Sequence, residues 1–216
     1  MMEEWRKRVD AVLKKYPLAD HSQFDTDNFC FWTMADGKYA FMAQTLVSSA
    51  KRLGVKEDFH VHADMPIHGA TTYYAKGFFE STYFFKLICL RDHIRKLPYD
   101  YFIFLDSDTF FVRNPGAFVK ELIEKNPVYI PMEGTAAGVR MKRTDWYGIK
   151  PNQYRAAIEA LCPNNVKDVY SSNGGFWIVR RDAVDLVYDL CVIFRDAMKE
   201  KYNITMPDES CLAYVG

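Results

Sequence analysis

Two aspartates separated by one serine, Asp106-Ser107-Asp108, are the residues whose types and spacing best suit chemistry. They directly follow the apolar run Tyr101–Leu105, whose length and composition predict a strand buried on both faces. In an open α/β sheet, ligands bind just outside the carboxyl ends of the strands. Two carboxylates this close repel each other unless a cation lies between them, and hard divalent cations prefer oxygen ligands. The segment therefore predicts a metal site that holds something anionic, most simply a diphosphate.

The same tripeptide also suits an ordinary turn, because short polar side chains hydrogen-bond to their own backbone. The apolar strand before it and Thr109-Phe110-Phe111-Val112 after it are unusual surroundings for a surface turn. From the residues alone, both interpretations stay open.

Three further motifs could contribute to a site, and each has a structural alternative. Paired glycines in Asn173-Gly174-Gly175, at a strand entrance, allow close approach of a ligand to the backbone, or form a turn. Asp208-Glu209 follows a proline and either starts a helix or provides a catalytic carboxylate opposite the metal. His60 and His62 share one face of a predicted strand. Because no third ligand is spaced nearby, we expect a half-exposed strand face there rather than a metal site.

The elements that would position these residues alternate between strands and helices. Apolar runs predict strands at 29–34, 58–63, 101–105, 128–131 and 176–179, and apolar stripes predict helices at 3–15, 41–53, 81–97, 117–125 and 182–201. Residues 65–77 are predicted to be a loop. The first strand, turn and helix form the first half of a right-handed βαβ crossover. We therefore expect an α/β fold with a single Rossmann-like mixed sheet flanked by helices.

Residues 132–165 are the least regular part of the sequence and are locally basic through Arg140, Lys142, Arg143 and Lys150. Loops this long inside a compact domain are usually binding loops or lids. We expect a substrate-facing role for this segment, with a solvated charged face as the alternative.

Composition narrows the class of protein. A length of 216 residues suggests one large domain, and 49% hydrophobic residues suffice for a substantial core. Lys+Arg and Asp+Glu both number 28, and this zero balance argues against a nucleic-acid binder. The five cysteines show no zinc spacing, so we expect reduced core thiols in a reducing compartment. Without a membrane-span run or a signal-peptide core, the expected location is cytoplasmic.

Taken together, the ordered blocks between residues 29 and 214 resemble the nucleotide-sugar glycosyltransferases of the A-type fold, particularly the glycogenin-like group. The segment Thr33-Met34-Ala35-Asp36-Gly37-Lys38-Tyr39 resembles the loop in which an Asp and a Tyr embrace the base and ribose. Lys86 resembles that group's basic residue near the nucleotide. Asp106-Ser107-Asp108 with Val112-Arg113-Asn114-Pro115 is similar to its Asp-x-Asp signature, and Asn173-Gly174-Gly175 to its sugar-cradling loop.

The last block resembles a different group. Asp208-Glu209-Ser210-x-Leu212 is similar to a segment of the histo-blood-group and α-1,3-galactosyltransferase family, where the Glu lies beneath the anomeric carbon of the donor. Both groups retain anomeric configuration, so we expect a retaining transferase. The chain stops at Gly216 without the C-terminal His or basic tail often found in such enzymes. We therefore expect residues 1–28 to be an N-terminal helix and link, and residues 29–216 to be a catalytic domain truncated from a longer protein.

The resemblance implies a donor, a metal and roles for particular residues. Thr33, Ala35, Asp36, Tyr39, Lys86, Asp106, Ser107 and the Asn173-Gly174-Gly175 loop would bind a nucleoside diphosphate sugar, most simply a UDP-sugar. Asp106 and Asp108 would hold Mn²⁺ or Mg²⁺. Glu209 would stabilise the reacting carbon and Asp208 a donor hydroxyl. The sugar would pass to a glycan or glycoprotein acceptor.

Other functions stay open from the residues. A sugar nucleotidyltransferase could use the same fold, but it ordinarily carries a Gly-rich basic loop after the first strand, and residues 35–38 offer one glycine and one lysine. A non-catalytic nucleotide-sugar-binding module is the other main alternative. A phosphatase-like hydrolase fits less well, because its further acidic and basic partners are not evident.

Overall fold

The computed structural model describes residues 2–75, 84–135, 150–162, 170–204 and 208–215. The chain divides into two compact units. The sheet unit comprises residues 19–129 and 175–181, and the helical unit comprises residues 1–18, 130–174 and 182–216. In chain order the described elements are α1 (Met2–Lys15), β1 (Phe29–Ala35), α2 (Lys38–Arg52), β2 (Phe59–Ala63), β3 (Thr71–Tyr74), α3 (Phe85–Asp92), β4 (Tyr101–Leu105), α4 (Gly116–Lys125), β5 (Val128–Tyr129), β6 (Met132–Thr135), α5 (Pro151–Leu161), β7 (Tyr170–Ser172), β8 (Phe176–Arg180), α6 (Val184–Tyr202) and α7 (Asp208–Val215).

The sheet unit contains a mixed six-stranded sheet in the order β3-β2-β1-β4-β8-β5. β1 is parallel to β2 and β4, β2 is parallel to β3, and β8 is antiparallel to both β4 and β5. The chain thus runs outward from β1 to β3 and then returns to β4 on the other side of β1. This reversal is a topological switch point, the place where open α/β sheets bind ligands at the carboxyl ends of their strands. The expected α/β class, with a mixed sheet flanked by helices, is confirmed.

The turn from β1 into α2 depends on one glycine. Gly37 is the N-cap of α2 with φ 52° and ψ −124°, a backbone region essentially restricted to glycine. From there α2 places Leu46 and Val47 in the core against the sheet. The strand, turn and helix predicted over residues 29–53 are therefore confirmed.

The two faces of the sheet bury different side chains. On the first face, Phe31 stacks on Phe59 with ring centroids 5.0 Å apart, inside the apolar core that α2 and α4 share. On the second face, the rings of Trp32, Phe104 and Trp177 meet at centroid distances of 4.7 to 5.6 Å. Because β1, β4 and β8 are buried on both faces, their sequences are nearly continuous apolar runs, with Thr33 and Arg180 as the polar exceptions.

Several predictions about loops are wrong. Residues 65–77 contain the edge strand β3, whose pattern of partly exposed polar and aromatic residues gave no clear alternation. Residues 132–165 contain β6 and α5, and α5 buries Tyr154, Ala157, Ile158 and Leu161 at helical spacing. The predicted helix over 81–97 is shorter, because α3 ends at Asp92 and a single 3₁₀ turn follows over Ile94–Lys96. Arg140, Lys142 and Arg143 lie outside the described residues, whereas Lys150 is the exposed N-cap of α5.

The expectation of a half-exposed face at His60 and His62 is also wrong. The two residues are only 6% and 5% exposed. The reason is that β3 pairs with β2 and makes it an interior strand, and the Tyr73 ring of β3 packs against both imidazoles.

The helical unit has its own packing. α6 lies against α1 and α7, and α1 also lies against α5. The Phe194 ring stacks on Tyr214 with centroids 4.7 Å apart, and the Tyr16 hydroxyl donates to Asp189 Oδ2 at 2.9 Å. β6 and β7 form a separate antiparallel pair.

All five cysteines are free thiols, and four of them are buried, whereas Cys162 is partly exposed. The expectation of reduced core cysteines is therefore confirmed for four of the five positions. None of the described helices has both the length and the apolar character that a membrane span requires.

Candidate functional site

The Asp106-Ser107-Asp108 motif begins where β4 ends. The Asp106 backbone N–H donates to the Gly175 carbonyl at 2.8 Å, which extends the pairing of β4 with β8 by one residue. The Asp106 carbonyl then accepts hydrogen bonds from the Thr109 N–H at 3.1 Å and the Thr109 hydroxyl at 2.7 Å. The motif is therefore a tight turn, as its turn chemistry predicts, and this turn follows directly from a buried strand.

Lys86, in the first turn of α3, makes an ion pair with the first acid of the motif. Its Nζ lies 3.0 Å from Asp106 Oδ1 and 4.7 Å from the centroid of the Phe104 ring. The Lys86 side chain is 14% exposed and that of Asp106 is 40% exposed. The lysine stem thus covers the aromatic second face of the sheet, while its charge reaches the strand end.

Asp108 differs from Asp106 in its surroundings. It is exposed, and it makes no hydrogen bond or ion pair with any other described residue, whereas Ser107 between the two acids is buried. An exposed, unpaired carboxylate two residues from a second carboxylate suits a divalent cation. No group of three or more His, Cys, Asp or Glu side chains within the described ranges is arranged to hold a metal. A cation at this motif would therefore take its remaining ligands from outside that set, such as diphosphate oxygens or water.

The end of β1 lies beside the end of β4. Of the residues expected to bind the donor there, Thr33 and Ala35 are fully buried within β1. Asp36 and Tyr39 are partly exposed, and the Tyr39 N–H donates to the Asp36 carbonyl at 3.0 Å. Only Asp36 and Tyr39 of these four therefore have side chains open to a ligand.

Sequence reasoning missed a fourth acid at this edge of the sheet, Asp64. It directly follows β2, whose Ala63 pairs with Ala35 of β1, so Asp64 and Asp36 follow neighbouring strands in the same register. Asp64 Oδ2 accepts a hydrogen bond from the Gly37 N–H at 3.0 Å, while its buried Oδ1 has no hydrogen-bond partner among the residues that the structure describes. The repeated pair Ala-Asp, at 35–36 and again at 63–64 after predicted strands, was the signal available in the sequence.

The predicted sugar-cradling loop is divided between the two units. Gly175 belongs to the sheet unit and contacts Asp106 through the backbone hydrogen bond described above. Asn173 and Gly174 belong to the helical unit, where the Asn173 N–H donates to the Pro131 carbonyl at 3.2 Å.

The two predicted catalytic acids, Asp208 and Glu209, are the first residues of α7 in the helical unit. The helix start that their sequence predicts is confirmed. Their side chains lie outside the described part of the structure.

An apolar cavity of about 260 Å³ opens beside the segment that follows Asp108. Phe31 and Leu105 are among the residues that line it, and Phe110, Val112 and Phe118 contribute side chains that are largely exposed. The sequence signal was the unbroken run Phe110-Phe111-Val112 immediately after the acidic turn.

No protein-family model matches this chain, and comparison with curated proteins found no match either. Function must therefore be inferred from the residues themselves. At one edge of the sheet they combine an exposed acid, Asp108, with an acid that is already paired with a lysine, Asp106. Such an arrangement can bind a cation and an anion side by side, because the acids attract the cation and Lys86 attracts the anion.

Proposed function

We propose that the chain is a metal-dependent glycosyltransferase with an A-type fold that uses a nucleoside diphosphate sugar, most simply a UDP-sugar. One observation carries the proposal. Asp36 and Asp106 follow the neighbouring parallel strands β1 and β4, on the two sides of the switch point, and a lysine pairs with Asp106. Open α/β sheets bind nucleotides at such a point.

The acidic turn fits Mn²⁺ or Mg²⁺ by the chemistry of its donors, since carboxylate oxygens are the ligands that hard divalent ions prefer. Asp108 and Asp106 would hold the ion. When bound, it would supply positive charge that stabilises the diphosphate as a leaving group.

Lys86 would contribute to the same stabilisation from the protein side. Its ammonium already lies at the strand end, at 3.0 Å from Asp106, and a lysine ammonium has three donor hydrogens. One of them can donate to a phosphate oxygen while another stays on Asp106. This charge becomes more valuable as the glycosidic bond breaks, because negative charge then accumulates on the diphosphate.

The nucleoside would lie against the start of α2. Asp36 can accept hydrogen bonds from ribose or base, and the partly exposed Tyr39 ring offers a flat surface for stacking. Thr33 and Ala35 would contribute through their backbone only, since their side chains are buried in β1.

The roles of the residues in the helical unit are proposed from the sequence resemblance alone. Glu209 would stabilise the positive charge that develops on the anomeric carbon, or bond to it transiently, as a carboxylate does in retaining glycoside hydrolysis. Asp208 would hold a donor hydroxyl. The acceptor would be a glycan or a glycoprotein.

Thermal unfolding with UDP, GDP and ADP, each with and without Mn²⁺, tests the proposal. We expect UDP with Mn²⁺ to raise the melting temperature by several degrees, because ligand at about a hundred times its Kd adds about 2.7 kcal/mol of stability. The Asp108→Asn variant should lose the part of this rise that depends on Mn²⁺. Glu124→Gln, which neutralises an exposed acid on α4, should keep it.

The outcomes separate the alternatives. If none of the three nucleotides raises the melting temperature, the proposal is overturned. A rise with UDP and Mn²⁺, followed by neither hydrolysis nor transfer from any UDP-sugar tested, would favour a non-catalytic binding module. Release of diphosphate from a nucleoside triphosphate and a sugar phosphate would favour a nucleotidyltransferase.

A further inference from the structure

A pair of histidines joins the end of α3 to the sheet. His62, on β2, and His93, the residue that ends α3, lie with His62 Nε2 and His93 Nδ1 2.7 Å apart. Two imidazoles at this distance share one proton, because one nitrogen must donate and the other must accept. Within the described part of the chain, the buried Nδ1 of His62 has no hydrogen-bond partner. The tautomer with its proton on Nε2 is therefore favoured, since it avoids an unpaired buried N–H.

A second network lies beside this pair and is fully satisfied. The Tyr73 hydroxyl lies 2.9 Å from His60 Nδ1, His60 Nε2 lies 3.3 Å from the Tyr99 hydroxyl, and Tyr99 donates to Asp58 at 2.6 Å. With Nε2 protonated, neutral His60 accepts from Tyr73 and donates to Tyr99. The Tyr73 ring also packs edge-on against His93, with centroids 4.2 Å apart. The cluster is therefore built from neutral rings.

The same short helix connects this cluster to the acidic turn. α3 has eight residues, with Lys86 in its first turn and His93 at its end. Helices this short are marginal in isolation, so tertiary contacts determine their position. No side chain of the described residues caps either end of α3. Along an α-helix, residues 86 and 93 are about 10 Å apart, so a movement of one end is transmitted to the other.

We propose that His62 and His93 are positioning residues for Lys86. Their shared, singly protonated hydrogen bond fixes the C-terminal end of α3 against β2 and thereby holds the Lys86 ammonium at Asp106. Protonation of both rings breaks this bond, because every ring nitrogen of an imidazolium is a donor and neither ring can then accept. Acid therefore loosens α3 and weakens the hold of Lys86 on Asp106 and on an anion bound there. Only the effect on a bound nucleotide rests on the proposed function.

Burial and the neighbouring charges favour the neutral form of these imidazole rings. Burial, then His93 and His60, lower the pKa of His62 to about 4. Burial and then Lys96 lower the pKa of His93. Burial lowers the pKa of His60, against the opposing attraction of Asp58. Among the described residues, the other titratable groups that face the cluster are Cys30 of β1 and the hydroxyls of Tyr73 and Tyr99. The neighbouring Asp92 pairs with Arg91.

These lowered pKa values determine the direction of the effect. The unfolded chain binds protons to these histidines below about pH 6.5, whereas the folded chain resists protonation until lower pH. The contribution of the pair is therefore complete above about pH 6.5 and is lost as the pH falls from there toward the folded pKa of His62, about 4.

The test uses variants that keep the hydrogen bond but cannot titrate. Gln can place an amide N–H where His62 has Nε2, and Asn can place an oxygen where His93 has Nδ1. The double variant His62→Gln with His93→Asn should therefore hold α3 at every pH. His68→Asn, at an exposed histidine on the loop between β2 and β3, is the matched control.

Two measurements are compared between about pH 7 and pH 5, the range of histidine titration. Deuterium exchange of the α3 amides, corrected for intrinsic rates, needs no ligand. We expect its protection to fall by up to about tenfold per pH unit in the wild type and in His68→Asn, and to change much less in the double variant. The affinity for UDP with Mn²⁺ should likewise fall with acid in the wild type and in His68→Asn, and change much less in the double variant.

The outcomes distinguish this inference from the proposed function. If α3 loosens with acid only when both histidines are present but no nucleotide binds, the positioning role stands and the proposed function fails. Identical pH profiles for the wild type and the double variant would overturn the positioning role. If the double variant does not fold, NMR titration of the wild-type imidazoles decides, since ordinary pKa values for His62 and His93 would contradict the proposal.

Discussion

The Nζ of Lys86 lies 3.0 Å from Oδ1 of Asp106, so α3 and the end of the next strand, β4, meet through one ion pair at the edge of the sheet. The lysine side chain is nearly buried, while the aspartate stays accessible. This asymmetry indicates that the ion pair presents charge to a ligand rather than only stabilising the fold, because partly exposed ion pairs contribute little stability.

Replacing Lys86 by Met should therefore affect binding more than folding. We expect Lys86→Met to change the free energy of unfolding by no more than about 1 kcal/mol, since Asp106 remains hydrated. The affinity for UDP with Mn²⁺ should fall by about 1.5 to 3 kcal/mol, the usual range for a hydrogen bond with a charged group. Urea unfolding and calorimetric titration measure the two quantities. Lys125→Met, which removes an exposed pair with Glu121, should leave affinity unchanged, and equal losses in both variants would contradict this role.

Glu209→Gln should separate nucleotide binding from sugar transfer. The amide has nearly the same shape as the carboxylate but cannot stabilise a positive anomeric carbon. We expect the transfer rate to fall about a hundredfold or more, as when one electrostatic group of an active site is removed, with little change in UDP affinity. Single-turnover transfer and calorimetric titration give the two values. If the nucleotide affinity falls as much as it does in Asp108→Asn, the division of roles between the two acids is wrong.

Asp64 should stabilise the start of α2 from a neighbouring strand. Its carboxylate accepts from the Gly37 N–H, and Gly37 has no side chain with which to cap the helix itself. We expect Asp64→Ala to lower the free energy of unfolding by about 1 to 2 kcal/mol, the range for a lost N-cap. Asp64→Asn should lose less, because it keeps an acceptor and loses only the charge near the helix dipole. Urea unfolding measures both losses of stability, and a larger loss for Asp64→Asn than for Asp64→Ala would exclude this role.

Cysteine reactivity should report the burial of each thiol. Burial raises the pKa of Cys89 to about 12 and also raises those of Cys30 and Cys162, so little thiolate is present at neutral pH. Cys162 is the only one of the five that is not buried, and Arg6 opposes the rise in its pKa. We expect iodoacetamide to alkylate Cys162 first and the others only on unfolding, as mass spectrometry of the peptides would show. Faster labelling of Cys30 would contradict the packing of β1.

The sequence predicted best the polar residues that directly follow a buried strand. Asp106 and Asp108 were identifiable as candidate site residues because an apolar run marks β4 and ligand sites follow such strands, whereas Asp36 was singled out by the resemblance. Gly175 was identifiable from its glycine pair. Lys86, the ion-pair partner of Asp106, was singled out only by the resemblance, because no local sequence pattern indicates that residues 86 and 106 meet.

The missed features all depend on which strands become neighbours. Asp64 gained its role because β2 pairs with β1, and His60 and His62 became buried because the unpredicted strand β3 covers them. β3 itself has no apolar alternation, since an edge strand needs none. His93 was likewise unpredictable as a partner of His62, because a contact 31 residues apart depends on the tertiary fold.

The position of β4 in the sheet has a consequence for biosynthesis. β4 pairs on one side with β1, at residues 29–32, and on the other with β8, at residues 176–180. A nascent chain that has emerged only as far as residue 174 therefore exposes one whole edge of β4, with its row of unpaired backbone groups. Such edges recruit other chains, so translation from residue 106 to residue 180 is the interval in which a chaperone would matter most.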